Sequence, residues 1–202
     1  MEQRTDEWLK ARCGLFTASR FADLLAKTKT GVSASRSNYI AQILCERLTG
    51  KVSESYMNQA MMIGTEREPL ARALYEAHTG VLVDEVGFIK HLDLPCGASP
   101  DGLIGNDGGI EIKCPQPAAH LEYLLYDEAP SKYMAQIQGC MWMSGRAWWD
   151  FVSFNPDFPD HLQLKIVRVK RDDAFIEKIE KEIINADAEV QEKISAINRI
   201  AA

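Results

Sequence analysis

The sequence predicts an α/β (α+β) fold: a central mixed sheet flanked by helices, with a helical N-terminal part. Three observations carry that prediction. The first eighty residues hold apolar side chains at helical spacing. The Gly105-Asn106-Asp107-Gly108 run between two apolar stretches marks an antiparallel hairpin. Beyond it, helical and extended patterns alternate up to one long amphipathic stretch at 172–199.

In chain order, the first helix is predicted from Thr17 to Ala26. Thr17 is its N-cap candidate, with Phe21, Leu24 and Leu25 on one face. Ser37 to Leu48 repeats the pattern with Ile40, Ile43, Leu44 and Leu48. A third helix spans 58–78 and stops at Thr79-Gly80. Strands are predicted near 82–89, 96–104 and 109–114, then helices near 117–126 and 131–144. Strands at 147–155 and 162–169 precede the last helix, which carries Phe175, Ile176, Ile179, Ile183, Ile184, Val190, Ile194 and Ile197. No internal repeat or low-complexity linker interrupts the order. A length of 202 residues makes one domain, 1–202, the natural expectation.

Composition narrows the class. Apolar content of 46% and charged content of 26% are those of a soluble globular protein. No apolar run approaches a membrane span, and no signal-peptide core opens the chain. Five scattered cysteines form no CxxC pair or zinc spacing, so reduced thiols in a cytoplasm are expected. The net charge of −6 argues against a protein that simply coats nucleic acid. Its distribution is uneven: residues 10–47 hold seven Lys/Arg against Asp23 and Glu46, and 172–202 hold eight acidic residues against four basic ones. A basic face for DNA with the acidic helix turned away fits that pattern, and so does an ordinary uneven surface.

The chemistry centres on the hairpin. Folding it about Asn106 brings Asp101 opposite Glu111. A strand period of two then puts Glu111 and Lys113 on one face, with Ile110 and Ile112 on the other. Taken alone, Pro100-Asp101-Gly102 is ordinary turn chemistry and Glu111-x-Lys113 an ordinary solvated face. Together they converge two carboxylates and an ammonium on one point. Oxygen ligands of this kind suit a hard cation such as Mg²⁺. A nearby Lys can orient or help deprotonate a water, which equips the cluster for metal-assisted phosphodiester hydrolysis.

The same residues carry a resemblance. Ala98-Ser99-Pro100-Asp101-Gly102-Leu103, followed by Gly109-Ile110-Glu111-Ile112-Lys113-Cys114-Pro115, resembles the active-site hairpin of the lambda exonuclease/YqaJ family of phage alkaline exonucleases. Trp8, Arg12, Gly14 and Thr17-Ala18-Ser19 resemble its W-x3-R-x-G-x2-T-A-S pattern. Gly64 and Glu68 resemble its G-x3-E helix, and Tyr133-Met134-Ala135-Gln136-Ile137-Gln138 its Y-x-A-Q-x-Q helix. The matches keep their order from about residue 8 to 155.

The resemblance implies a PD-(D/E)XK nuclease core and a Mg²⁺-dependent 5′→3′ exonuclease, with Mn²⁺ able to substitute. Such an enzyme digests one strand of duplex DNA from its end and leaves a 3′ overhang for recombination. Asp101, Glu111 and the Ile112 carbonyl would bind metal, and Lys113 would position or deprotonate the attacking water. Glu68, rather than its neighbour Glu66, would be a further active-site carboxylate. Gln136 would point at the site, supported by Tyr133. Arg12, Ser19 and Ser99 would hold a 5′-terminal phosphate, and Met61 stands where a relative uses an apolar wedge, although paired methionines are also core filler. The family's Arg after E-x-K-C-P is missing from Gln116-Pro117-Ala118-Ala119-His120, so its contact is lost or supplied by another residue such as His120. The implied partners are double-stranded DNA ends, two further copies in a homotrimeric ring and a single-strand annealing protein. No membrane is implied, and the setting is the cytoplasm of a phage-bearing bacterium. Two rivals remain: an internally cutting PD-(D/E)XK endonuclease and a catalytically silent DNA-end clamp.

Overall fold

The structure, a computed structural model, describes residues 2–28, 31–53 and 59–200, the side chains of 59–61 excepted. Its helices are α1 (Asp6–Arg12), α2 (Phe21–Leu25), α3 (Ala34–Thr49), α4 (Gln59–Thr79), α5 (Pro117–Leu125), α6 (Ser131–Ser144) and α7 (Asp173–Ile200). The strands are β1 (Phe16–Thr17), β2 (Lys27–Thr28), β3 (Gly31–Val32), β4 (Ile89–Lys90), β5 (Cys96–Ala98), β6 (Gly102–Ile104), β7 (Gly108–Lys113), β8 (Trp148–Phe154) and β9 (Leu164–Lys170). A mixed sheet in the order β6-β7-β8-β9 forms the centre, with β7 and β8 parallel and the outer pairs antiparallel. A smaller sheet, β1-β5-β4, lies beside it. The predicted fold class is therefore the observed one.

Each face of the central sheet is covered by a different helix. Ile110, Ile112, Val152 and Phe154 pack with Ala71 and Tyr75 of α4. Trp149 and Phe151 point the other way and join Ile137, Cys140 and Met141 of α6, with Ile179 and Ile183 of α7 behind. Gly109 is needed on that second face, because a Cβ there would collide with the Trp149 ring. Neighbouring residues of one strand thus serve two separate cores, which is what the alternation of Glu111 and Lys113 with Ile110 and Ile112 predicts.

Local pattern and structure part company in four places. A helix at Asp6–Arg12 adds to the three predicted N-terminal ones. Thr5 caps it by accepting from the Trp8 amide (3.3 Å), with Asp6 and Glu7 in its first turn and Lys10 and Arg12 in its last. The expected helix at 17–26 begins instead as β1 and a 3₁₀ turn at Ala18–Arg20. There Phe16 donates to the Pro95 carbonyl (2.9 Å) and the Thr17 amide to Tyr39 Oη (2.8 Å), so long-range pairing overrides helical spacing. The strand at 82–89 reduces to a bridge between Asp84 and Leu103 and the short β4, with Leu82 outside the core. The strand at 96–104 splits at Ser99-Pro100 into β5 and β6, which belong to different sheets, because proline has no N–H for a ladder.

The charge asymmetry also resolves differently from its expected form. The acidic α7 packs on the basic N-terminal region. Arg36 pairs with Glu189 (2.8 Å), Arg47 with Asp187 (2.5 Å) and Lys27 with Glu182 (3.8 Å). Much of the basic stretch is therefore complemented within the chain rather than turned toward a ligand. Among the described residues, no helix is long and apolar enough to cross a membrane.

Candidate active site

The hairpin pairs Gly102 with Ile110, Leu103 with Gly109 and Ile104 with Gly108. One step further along this register, Asp101 stands opposite Glu111. Pro100 ends the ladder, and the Asp101 carboxylate takes over its role: Oδ2 accepts from the Ile112 amide (2.7 Å). In an extended strand a residue's N–H and C=O point the same way, so the Ile112 carbonyl also faces Asp101.

Glu111 is fully buried, at 0% exposure. Its Oε1 accepts from Gln136 Nε2 (2.6 Å) and pairs with Lys113 Nζ. Its Oε2 is buried and has no partner among the described residues. Burial and the neighbouring Glu111 push the Asp101 carboxyl well above its ordinary range, with Lys113 pulling the other way. Burial alone would lower Lys113, but Glu111 and Asp101 outweigh it and hold the ammonium charged. Lys113 is thus placed to orient groups and to offset negative charge. Its Nζ also lies over the Tyr133 ring (5.2 Å from the centroid), and that ring stacks on Phe151 (5.4 Å). Gln136 and Tyr133 therefore meet the cluster together from α6.

Glu68 approaches from α4. It accepts from Arg4 Nη2 (2.6 Å) and from Arg72 Nη2 (3.1 Å), and it lines a cavity of about 380 Å³ that Asp101 shares. Glu66 is exposed on another side of the helix. Gln138, next on α6, bridges to β9 and α7 instead: it donates to the Lys170 carbonyl (2.9 Å) and accepts from the Asp172 amide (2.9 Å).

The cluster has the properties of a cation site. An orphaned buried carboxylate oxygen and a second carboxyl strained upward by its neighbour both gain from a positive ion. Among the described residues no three carboxylate, imidazole or thiol groups gather into a metal cage. The donors that fit are Asp101, Glu111 and the Ile112 carbonyl, an all-oxygen set suited to a hard cation that keeps several waters.

A second cavity, of about 170 Å³, adjoins the first. Arg12, Ser19 and Ser99 line it, with Gln3, Arg4, Trp8, Thr17, Ala18, Gln136 and Cys140. Trp8 organises it: its Nε1 donates to Ser99 Oγ (2.9 Å), and the Arg12 guanidinium lies 3.9 Å from the centre of its ring. Gly14 turns the chain beside this cavity with φ +71, a backbone that L side chains rarely adopt. The three residues expected to share a phosphate are thus brought together. Burial pushes the Cys140 thiol well above its usual range, and Cys96 and Cys114 up to about 12, so the thiols near the site are inert.

Two expectations end differently. His120 does not replace the missing arginine. It is fully buried, Nε2 donating to the Leu162 carbonyl (2.8 Å) and Nδ1 accepting from Ser153 Oγ (2.7 Å). An imidazole between two internal partners is a core residue. The Met61 side chain lies outside the described residues. Arg4 and Arg72, which hold Glu68, carry no motif signal; only their place in space reveals them.

Fold and cluster together place the chain among α/β proteins with the alkaline exonuclease fold. It belongs to the YqaJ-like viral recombinase domain family, whose model matches residues 7–147. It is 45% identical to LHK-Exo, an alkaline exonuclease from Laribacter hongkongensis, over 98% of both chains. The TM-score is 0.91 against LHK-Exo in complex with dAMP and 0.90 against a second LHK-Exo crystal structure. A phage-related exonuclease from Haemophilus somnus 129PT shares the fold at 16% identity, with a TM-score of 0.71 over 91% of this chain and 96% of its own. No curated protein matches the chain significantly.

Proposed function

We propose that this chain is a Mg²⁺-dependent 5′→3′ exonuclease. It removes mononucleotides from one strand of linear double-stranded DNA and leaves a 3′ overhang for recombination. The observation that carries this reading is the Asp101/Glu111/Lys113 cluster, in which Glu111 is fully buried and one of its oxygens has no partner among the described residues, next to a separate cavity lined by Arg12, Ser19 and Ser99. LHK-Exo, 45% identical, has been crystallised with dAMP, a product-class ligand for such a reaction.

Asp101, Glu111 and the Ile112 carbonyl would hold the Mg²⁺, which when bound would supply Lewis-acid polarisation of the scissile phosphate and a more acidic water. Gln136 fixes the orientation of Glu111 through Oε1. Lys113, held charged, orients the attacking water and offsets charge that grows on the phosphate. Arg12, Ser19 and Ser99 take the 5′-terminal phosphate, with Trp8 fixing Arg12 and Ser99. This sets the reacting phosphate one nucleotide in. Water oxygen bonds to phosphorus, the P–O3′ bond breaks, and the departing nucleotide's 3′ oxygen takes a proton.

Digestion of an end-labelled linear duplex in Mg²⁺ tests the reading, with 5′-phosphate and 5′-hydroxyl ends compared and a closed circle alongside. Mononucleotides from the linear duplex alone, released faster from 5′-phosphate, are expected. Cutting of the circle would make the protein an endonuclease, and inertness on every substrate a silent end clamp. The family resemblance supports a homotrimeric ring working with an annealing protein in a bacterial cytoplasm. Light scattering that gives three subunits would agree; a monomer that digests long tracts per binding event would remove the ring.

A further inference from the structure

Arg4 occupies an unusual position. It is the one non-glycine residue with positive φ (+70) among the described residues, a backbone that a side chain disfavours and neighbours must hold in place. Its neighbours do so. Gln3 Nε2 donates to the Val86 carbonyl (2.9 Å) and to the Pro100 carbonyl (2.7 Å), just before Asp101. On the other side, Thr5 caps α1 and its hydroxyl donates to the Glu2 carbonyl (2.8 Å). This short strap delivers the Arg4 guanidinium to Glu68, 2.6 Å away.

Arg4 lines both cavities. One contains Asp101, Glu68 and Arg72; the other contains Arg12, Ser19, Ser99 and Gln136. Arg4 therefore stands between the carboxylate cluster and the Arg12 pocket. Its side chain keeps 49% exposure, against 17% for Glu68 and 11% for Arg72. Glu68 already accepts from Arg72, so it does not depend on Arg4 for a cationic partner. An arginine carries five donors in a planar fork, and the single bond to Glu68 leaves most of them for a ligand.

On the reading above, one nucleotide of the digested strand spans these two cavities. We propose that Arg4 is a substrate-binding residue: standing between the two cavities, it donates to phosphate oxygens of the digested strand, at its terminal and reacting phosphates. It supplies from the N-terminal strap the guanidinium that the segment after Lys113-Cys114-Pro115 lacks. The strained backbone fits that role: a glycine would fit φ +70 better but would bring no charge.

Arg4→Gly separates a binding role from a structural one, because it relieves the backbone while removing the fork. Binding of a 5′-phosphorylated blunt duplex is followed by fluorescence anisotropy in EDTA across a salt series. Melting temperatures and wild-type cleavage in Mg²⁺ are measured alongside. Expected are an unchanged or higher Tm, about tenfold weaker binding, and a log Kd against log[salt] slope shallower by about one. Arg4→Gln should lose the same slope without the backbone relief. The slope loss should persist when Glu68→Gln is the background, since the fork acts on DNA and not through Glu68. Wild-type binding and slope in Arg4→Gly and Arg4→Gln, or a loss that vanishes in the Glu68→Gln background, would overturn the assignment. If wild type cleaves DNA while Arg4 proves silent, only the Arg4 role fails; if wild type cleaves nothing, the nuclease reading fails by itself.

Discussion

Two buried acidic residues on adjacent strands of one sheet have opposite fates. Asp150 on β8 faces α4 at 2% exposure. Both its oxygens are engaged: Tyr75 Oη donates to it (2.6 Å), and Arg168 grips it with two nitrogens (2.8 and 2.9 Å). The Arg168 guanidinium carbon in turn lies over the Trp148 ring, 3.6 Å from its centre. Glu111 on β7 faces α6, is equally buried, and keeps one oxygen that has no partner among the described residues, beside a second carboxyl. Desolvating a carboxylate is costly, and among the described residues folding offsets the cost at both oxygens of Asp150 but at only one of Glu111. The comparison separates a charge buried to hold strands together from one kept ready for a ligand.

The largest effect that sharpens this contrast is on activity. Asp101→Ala and Glu111→Ala should each lower cleavage by about 10³-fold or more, the loss of several kcal/mol of cation-derived stabilisation, with circular dichroism unchanged. Asp150→Asn should leave the chemistry intact in single-turnover assays at 25 °C. A cleavage defect in Asp150→Asn as deep as in Glu111→Ala would erase the distinction. Lys113→Ala should cost about 10²-fold in rate while Mg²⁺ binding survives in calorimetry, since its ammonium works by charge and position.

Stability should move in opposite directions. Asp150→Asn removes the charge that buried Tyr75 and the half-exposed Arg168 share, and a loss of about 2 kcal/mol lowers Tm by about 4–8 °C in a chain of this size. Asp101 behaves in reverse. Its carboxyl is held above its ordinary range by burial and by Glu111, so the folded chain binds that proton more tightly than the unfolded one. Ionisation above that raised value therefore opposes folding, and the cost fades as pH falls through it toward the unfolded chain's value. Asp101→Asn should raise Tm in EDTA at pH 8, with the gap to wild type closing as pH is lowered. A lower Tm for Asp101→Asn at every pH would contradict the idea that its charge is held against the fold.

The smallest effect concerns the neighbouring cavity. Arg12→Ala should reduce the preference for 5′-phosphorylated over 5′-hydroxyl ends by about tenfold while cleavage of hydroxyl ends persists. Equal rate ratios in variant and wild type would remove Arg12 from phosphate recognition.

What the sequence made legible follows the range of the interactions. The hairpin could be read because its turn signal and alternation are local, and together they set the register that brings Asp101 to Glu111. The Ile112 carbonyl came only through the family pattern. Gln136, Glu68, Arg12, Ser19 and Ser99 came only through the family pattern, since nothing local marks a helical Gln or Glu as facing a site on a distant strand. The Asp150–Arg168–Tyr75 network stayed hidden because its members come from two strands and a helix far apart in sequence. The same holds for the pairing of α7 with Arg36 and Arg47, which looked from sequence like two separate charged surfaces. His120 misled because a polar residue near a missing arginine invites a functional role, and only its burial shows otherwise.

Calorimetric titration of Mg²⁺ into the metal-free protein tests the central contrast most directly, with wild type, Glu111→Gln and Asp150→Asn measured at the same pH. Mg²⁺ should bind wild type and Asp150→Asn with matching affinity, and should not bind Glu111→Gln. Binding to Glu111→Gln as tight as to wild type would contradict that contrast.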